Sequence, residues 1–181
     1  GSDADGDRTG ELNVNGSGGG IAPQPAANSN QPVSAASQDI LIGAVISGYK
    51  VESLLSNNSG EATVYKGRKE DQTVVIKYYY GAKKPKDDVM RRILKLDHPD
   101  IVKTFECGMY GSRFFEIMEY AAGGTLDDRR PDGTFKYLPM PEDKARKVIA
   151  QVINALDYFH KNGIIHRDIK PKNIFCRDAA A

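Results

Sequence analysis

Strand-forming runs crowd one stretch of this chain, and a single long amphipathic helix follows them. Between Tyr49 and Tyr120, runs rich in Val, Ile, Tyr and Phe predict strands at Tyr49 to Leu55, Thr63 to Lys69, Gln72 to Tyr80, Ile101 to Met109 and Arg113 to Tyr120. Polar or Gly-containing breaks separate them: Ser56 to Gly60, Glu70-Asp71 and Tyr110-Gly111-Ser112. The first three read as an antiparallel meander. One helix interrupts the series over about Lys86 to Leu96, where Val89, Met90, Ile93 and Leu94 form an apolar stripe. Beyond the strands, Ala145, Val148, Ile149, Val152, Ile153, Leu156 and Phe159 fall on one face of a helix from Glu142 to Lys161, opened by Pro141 and closed by Asn162-Gly163. Strands grouped first and helices second argue for an α+β fold: a five-stranded antiparallel sheet with one helix, then the start of a helical unit.

The first 45 residues differ in kind. They hold no aromatic residue, and their acids Asp3, Asp5, Asp7, Glu11 and Asp39 face a single base, Arg8. Such a stretch buries too little apolar surface to offset the entropy of ordering, so residues 1–45 read as a disordered acidic, Gly-rich tail. Its short apolar patch Ile40-Leu41-Ile42 reads as a docking point or as plain linker. The opening Gly1-Ser2, without methionine, reads as the edge of a larger protein. A net charge of +1 gives no reason to expect nucleic acid or a membrane surface as partner. No apolar run reaches the roughly 20 residues needed to span a bilayer, and the start lacks a signal-peptide profile. Cys107 and Cys176 are far apart with no CxxC spacing, which suits a reducing, cytoplasmic setting.

Directly after the long helix comes Ile164-Ile165-His166-Arg167-Asp168-Ile169-Lys170-Pro171-Lys172-Asn173-Ile174-Phe175. Taken singly, its charged residues describe a solvated surface turn. Jointly they match the HRDxKxxN catalytic loop at every fixed position, and here the chain resembles the serine/threonine protein kinases. That resemblance implies that Asp168 orients the substrate hydroxyl and takes its proton, Lys170 meets the γ-phosphate of ATP, and Asn173 holds Mg²⁺ through its side-chain oxygen. His166 is then structural, and Arg167 resembles the arginine that pairs with a phosphorylated activation segment. Lysine at 170 is the serine/threonine-type choice.

The same resemblance extends upstream. Val74-Val75-Ile76-Lys77 resembles the VAIK motif, which implies that Lys77 pairs with the α- and β-phosphates. His98-Pro99-Asp100-Ile101-Val102-Lys103 is similar to the HPNIV stretch leading into the fourth strand. Phe115 to Leu126 resembles the fifth strand and hinge, with Met118 as gatekeeper beside the adenine and the main chain of Glu119 and Ala121 on its hydrogen-bonding edge. Residues 46–120 are then the small lobe, and 121–181 the hinge and first part of the large lobe.

Two positions depart from the pattern. Asn57, Ser59 and Ala62 stand where GxGxxG would place glycines, and Gly60 alone remains to let the backbone approach phosphate. The helix glutamate expected to pair with Lys77 is replaced by Val89, leaving Asp87 and Asp88 as the nearest acids or as first-turn residues favoured by the helix dipole. The chain also holds no DFG motif, so by itself it is expected to be inactive. An implied protein substrate, phosphorylated on Ser or Thr, competes with two other readings: a pseudokinase or scaffold that binds partners without catalysis, and a small-molecule kinase. The bases Lys83, Lys84, Lys86, Arg91, Arg92 and Lys95 read as a solvated helix face. Oligomeric state is not written in these residues.

Overall fold

The computed structural model describes residues 41–57 and 59–178. Eight strands and two α-helices run in the order β1 (Val45–Ile46), β2 (Tyr49–Ser56), β3 (Ala62–Lys69), β4 (Gln72–Tyr79), α1 (Asp87–Ile93), β5 (Thr104–Tyr110), β6 (Arg113–Glu119), β7 (Gly124–Thr125), α2 (Glu142–Lys161) and β8 (Phe175–Cys176), with a 3-10 turn at Pro171–Asn173 before β8. Six of the strands form one antiparallel sheet in the order β1-β2-β3-β4-β6-β5, and β7 pairs with β8 in a second, two-stranded ribbon.

The sheet has six strands where five were expected. Its extra member, β1, folds back on β2 through Ser47-Gly48, whose φ values of 51° and 85° are the two positive values a tight type I′ hairpin needs. The ordered lobe therefore begins before Ile46: Leu41 and Ala44 already pack against its core. Ile40 lies outside the described residues, and its neighbour Ile42 is exposed. The Ser47 hydroxyl donates to the Glu106 carboxylate on β5, so the sheet curls until the two ends of its strand order meet.

Strand alternation sorts the sheet into two faces. One carries Val51, Tyr65, Val74, Ile76, Tyr78, Phe115 and Ile117, which form the main buried cluster with Ile46 and Tyr49. The other carries Ala62, Tyr79 and Phe114, covered by Met90 of α1 with Ile93 and Cys107 alongside. Helix α1 is shorter than the predicted Lys86 to Leu96, because Lys95 and Leu96 donate to the carbonyls of Arg92 and Ile93 and the chain tightens out of the α-helix. The basic residues in and around it are exposed as expected, and some make surface contacts: Arg92 donates to the Gly163 carbonyl at 3.0 Å, Lys83 to the Gly60 carbonyl and Lys84 to Asp87.

Helix α2 runs over the expected residues. Its predicted apolar face divides, however: Ala145, Val148, Val152, Leu156 and Phe159 are half-buried, Ile149 and Ile153 stay 57% and 58% exposed, and the buried residue is Ala155, outside that set. After β6 the chain turns at Gly124, where φ is 77° and the Asp128 carboxylate packs against the backbone, leaving no room for a side chain. Thr125 Oγ1 donates to that carboxylate at 2.8 Å. Among the described residues no helix is long and apolar enough to cross a membrane.

Candidate active site

A cleft opens between the sheet and the β7-β8 ribbon, lined by Val75 of β4, Val102, Met118, Glu119, Tyr120 and Ala121 at the end of β6, Gly124, and Phe175 of β8. Its walls are mostly apolar, which suits a flat ring. Met118 and Ala121 of the predicted adenine site are therefore in one cleft with Glu119. The Glu119 side chain turns away, its carboxylate accepting from Arg177 Nε at 3.1 Å and from the Lys103 amide at 3.3 Å. Glu119 and Ala121 thus offer main chain to the cleft, and among the described residues the Ala121 amide has no backbone partner. Val75 stands where the VAIK pattern has alanine.

Lys77 lies two residues beyond the cleft residue Val75 on the same face of β4, and Asn173 lies two residues before Phe175 in the chain. The catalytic loop closes on itself. His166 is half-buried with its ring against Phe159, the centroids 5.9 Å apart, and its Nδ1 accepts the Asp168 amide at 3.3 Å. Burial pushes the His166 imidazole below its usual range, which keeps it a neutral acceptor at that amide. Arg167 adopts φ 63°, a left-handed conformation that costs a non-glycine residue energy and kinks the chain between His166 and Asp168. Asp168 then meets its partners: Lys170 Nζ at 2.9 Å from Oδ2, and Asn173 Nδ2 at 2.9 Å from Oδ2 and 2.7 Å from the Asp168 carbonyl. Chiefly through the Lys170 contact, the Asp168 carboxyl is held below the ordinary carboxylate range. Asp168, Lys170 and Asn173 are thus brought together.

Gly60 sits in a loop turned by Ser59, whose hydroxyl accepts the Ala62 amide at 3.0 Å and donates to the Ala62 carbonyl at 2.6 Å. A Cβ at Gly60 meets nothing within 4 Å, and its φ is not left-handed, so in this conformation the position imposes no steric demand for glycine. The partner of Lys77 differs from both predicted acids. Asp87 pairs with Lys84 at 2.7 Å, Asp88 has no ion pair among the described residues, and Val89 is buried. Lys77 Nζ instead lies 3.9 Å from Glu61 Oε2, in the turn before β3, and 4.7 Å from the centroid of Tyr79. Opposite Lys77 in the β4-β6 register is Glu116, buried and accepting the Tyr79 hydroxyl at 2.7 Å. Sequence reading missed Glu61 and Glu116 because their proximity to Lys77 is a matter of strand register and loop path. The available signal was a charged residue, Glu116, within an otherwise apolar strand.

A small β-rich unit, a cleft, and a loop that gathers a carboxylate, an ammonium and an amide together define a phosphotransferase-type fold. The protein kinase domain family matches residues 57–181, and the chain belongs to that family. It is 32% identical over 151 residues to the serine/threonine-protein kinase PknJ of Mycobacterium tuberculosis, covering 78% of this chain and 25% of that protein. It is 35% identical over 135 residues to CBL-interacting protein kinase 10 of Oryza sativa subsp. japonica, covering 70% of this chain and 29% of the relative. The chain thus spans about a quarter of the length of the curated relatives it matches. The crystal structure of the Mycobacterium tuberculosis PknI kinase domain superposes with a TM-score of 0.57 at 24% identity, over 73% of this chain and 56% of that one, which establishes the fold.

Proposed function

We propose that the protein transfers the γ-phosphate of ATP to serine or threonine hydroxyls of a protein substrate. The observation that carries this reading is the Asp168 carboxylate held by Lys170 and Asn173 within one short turn. A carboxylate kept ionised by such neighbours can orient a hydroxyl and take its proton as the phosphoryl group leaves ATP. Lys170 carries the positive charge nearest that point, and Lys77 meets the α- and β-phosphates from the sheet side. Glu119 and Ala121 hold the adenine edge through their main chain, Met118 backs it, and the loop at Gly60 covers the phosphates. Lysine at 170 and the similarity to the serine/threonine-protein kinase PknJ support the choice of hydroxyl.

The residues suit Mg²⁺ shared with a nucleotide. Asn173 commits its Nδ2 to Asp168, which leaves its side-chain oxygen to face a cation. Bound there, Mg²⁺ neutralises charge on the phosphates. Two isolated thiols, Cys107 and Cys176, support a cytoplasmic protein.

The decisive experiment uses Asp168→Asn in the full-length protein with Mg·ATP and a protein substrate. Loss of phosphotransfer with ATP affinity preserved is the expected result; retained transfer overturns the assignment. A second reading, a partner-binding domain without catalysis, draws on one observation: the helix acids leave Lys77 alone, and Glu61 of the phosphate loop approaches it instead. That reading requires the unmodified full-length protein to bind partners while transferring no phosphate.

A further inference from the structure

Glu116 is a buried carboxylate that the roles above leave unused. Lys77 and Glu116 are directly opposed in the antiparallel β4-β6 pair, so their side chains leave the sheet on one face with Cβ atoms about 5 Å apart. Tyr79, two residues along β4 from Lys77, shares that face. Its hydroxyl donates to Glu116 Oε1 at 2.7 Å, and its ring centroid lies 4.7 Å from Lys77 Nζ. Helix α1 covers the same face through Val89 and Met90, both buried, and spends Asp87 on Lys84.

We propose that Glu116 is the resident counter-ion of Lys77, supplied from within the sheet in place of an acid on helix α1, and that Glu61 is the acid that yields to the nucleotide phosphates. The inference rests on the kinase reading and deepens it. Glu61 pairs with the Lys77 ammonium at 3.9 Å and Glu116 acts on it from the opposed position of β6, so a triphosphate that brings further negative charge requires one carboxylate to move away. Glu61 is the one free to swing aside: it stands in the turn before β3, outside the strand ladder, and reaches Lys77 at 3.9 Å. Glu116 is fixed on a central strand, buried and clamped by Tyr79. Burial raises the Glu116 carboxyl above the ordinary range, and Lys77 is the strongest influence pulling it back toward the charged form. Glu116 is therefore a positioning residue acting through Lys77. Where the partner of this lysine rides on the helix, moving the helix makes or breaks the pair and so controls activity. Here lysine and acid share one sheet, and displacement of α1 leaves them together.

The test measures kcat, the KM for ATP and the melting temperature of the full-length protein for Lys77→Met, Glu116→Gln, Glu116→Asp, Glu61→Gln and Asp88→Asn. Glu116→Gln keeps an acceptor for the Tyr79 hydroxyl while removing the charge that positions Lys77, so kcat/KM should fall about 100-fold with no drop in melting temperature. Glu116→Asp restores the charge and should recover part of that loss, which a purely structural role would not produce. Glu61→Gln removes repulsion and should lower the KM for ATP by about threefold. The proposal is overturned if Glu116→Gln stays within about twofold of the parent while Lys77→Met is inactive, if Asp88→Asn loses as much as Lys77→Met, or if Glu61→Gln raises the KM. In those cases the kinase reading stands. Full activity in both Lys77→Met and Asp168→Asn would instead remove the kinase reading itself.

Discussion

Two carboxylates have lysines for neighbours, one on the loop side of the molecule and one on the sheet side, and their surroundings drive them in opposite directions. Asp168, on the loop, lies beside Lys170 and Asn173 near solvent, and its carboxyl is held low. Glu116, on the sheet, is buried beside Tyr79, and its carboxyl is pushed high. The same burial, with Glu116 alongside, raises the Tyr79 phenol far above its usual range. The loop side thus carries a charge that persists across physiological pH, and the sheet side carries one whose ionisation depends on its partner. A group that must act on a substrate proton is better placed on the first side, and one that must hold a lysine in position tolerates the second.

The largest effect that sharpens this contrast is at Asp168. Asp168→Asn should cut kcat by about 1,000-fold while the ATP dissociation constant, followed by calorimetry, changes by less than about threefold. Equal losses in both would place Asp168 in nucleotide binding and erase the difference between the two sides.

Packing gives the next largest effect. A Cβ on Gly67 of β3 would come within 2.6 Å of Ile76 Cδ1, so Gly67→Ala should destabilise the fold by about 1–3 kcal/mol in chemical denaturation. Lys170→Ala, on the exposed loop, should cost activity and leave the denaturation midpoint in place.

A third prediction concerns pH. The raised carboxyl of Glu116 means that the folded state holds its proton more tightly than the unfolded chain does. Its contribution to stability is complete below the unfolded value of 4.5 and is lost as pH rises through the folded one. Melting temperatures measured from pH 4 to 8 should therefore show Glu116→Gln gaining on the parent as pH rises. For Asp168 the sign reverses: its carboxyl is depressed, so its contribution is present above the unfolded value of 3.8 and is lost on acidification. The melting-temperature gap between parent and Asp168→Asn should accordingly close at low pH.

The smallest effect lies between the two sides. Arg92→Gln, which removes the 3.0 Å bond to the Gly163 carbonyl, should cost about 1 kcal/mol, read as a small drop in melting temperature.

The loop side was legible in the sequence because its chemistry is contiguous. His166, Asp168, Lys170 and Asn173 lie within a few residues, so local spacing alone specifies which groups meet. Helix α2 was equally legible, since Pro141 and Asn162-Gly163 bound a long periodic run. The sheet side was not: Lys77, Glu61 and Glu116 are joined by the β4-β6 register and by the path of a turn, and neither is encoded in a local pattern. Strands β1, β7 and β8 have two residues each, too few to display a period of two, although Ser47-Gly48 carried the turn chemistry that announces β1. The last turn of α1 was overextended because Leu94 and Leu96 continue the apolar character of a stripe whose backbone has already left the helix.

The guanidinium of Arg92 gives helix α1 a different employer. It ties the helix to the chain just past the end of α2, whose last turns also meet the His98 ring through Tyr158 at 5.0 Å and whose middle donates from Gln151 to Asp100 at 2.8 Å. A displacement of α2 relative to the sheet would thus drag this segment along as a strut, while Lys77 and Glu116 stay opposed on one sheet. Contact with α2 and the Lys77–Glu116 register thus belong to separate parts of the fold, and each can be altered without the other.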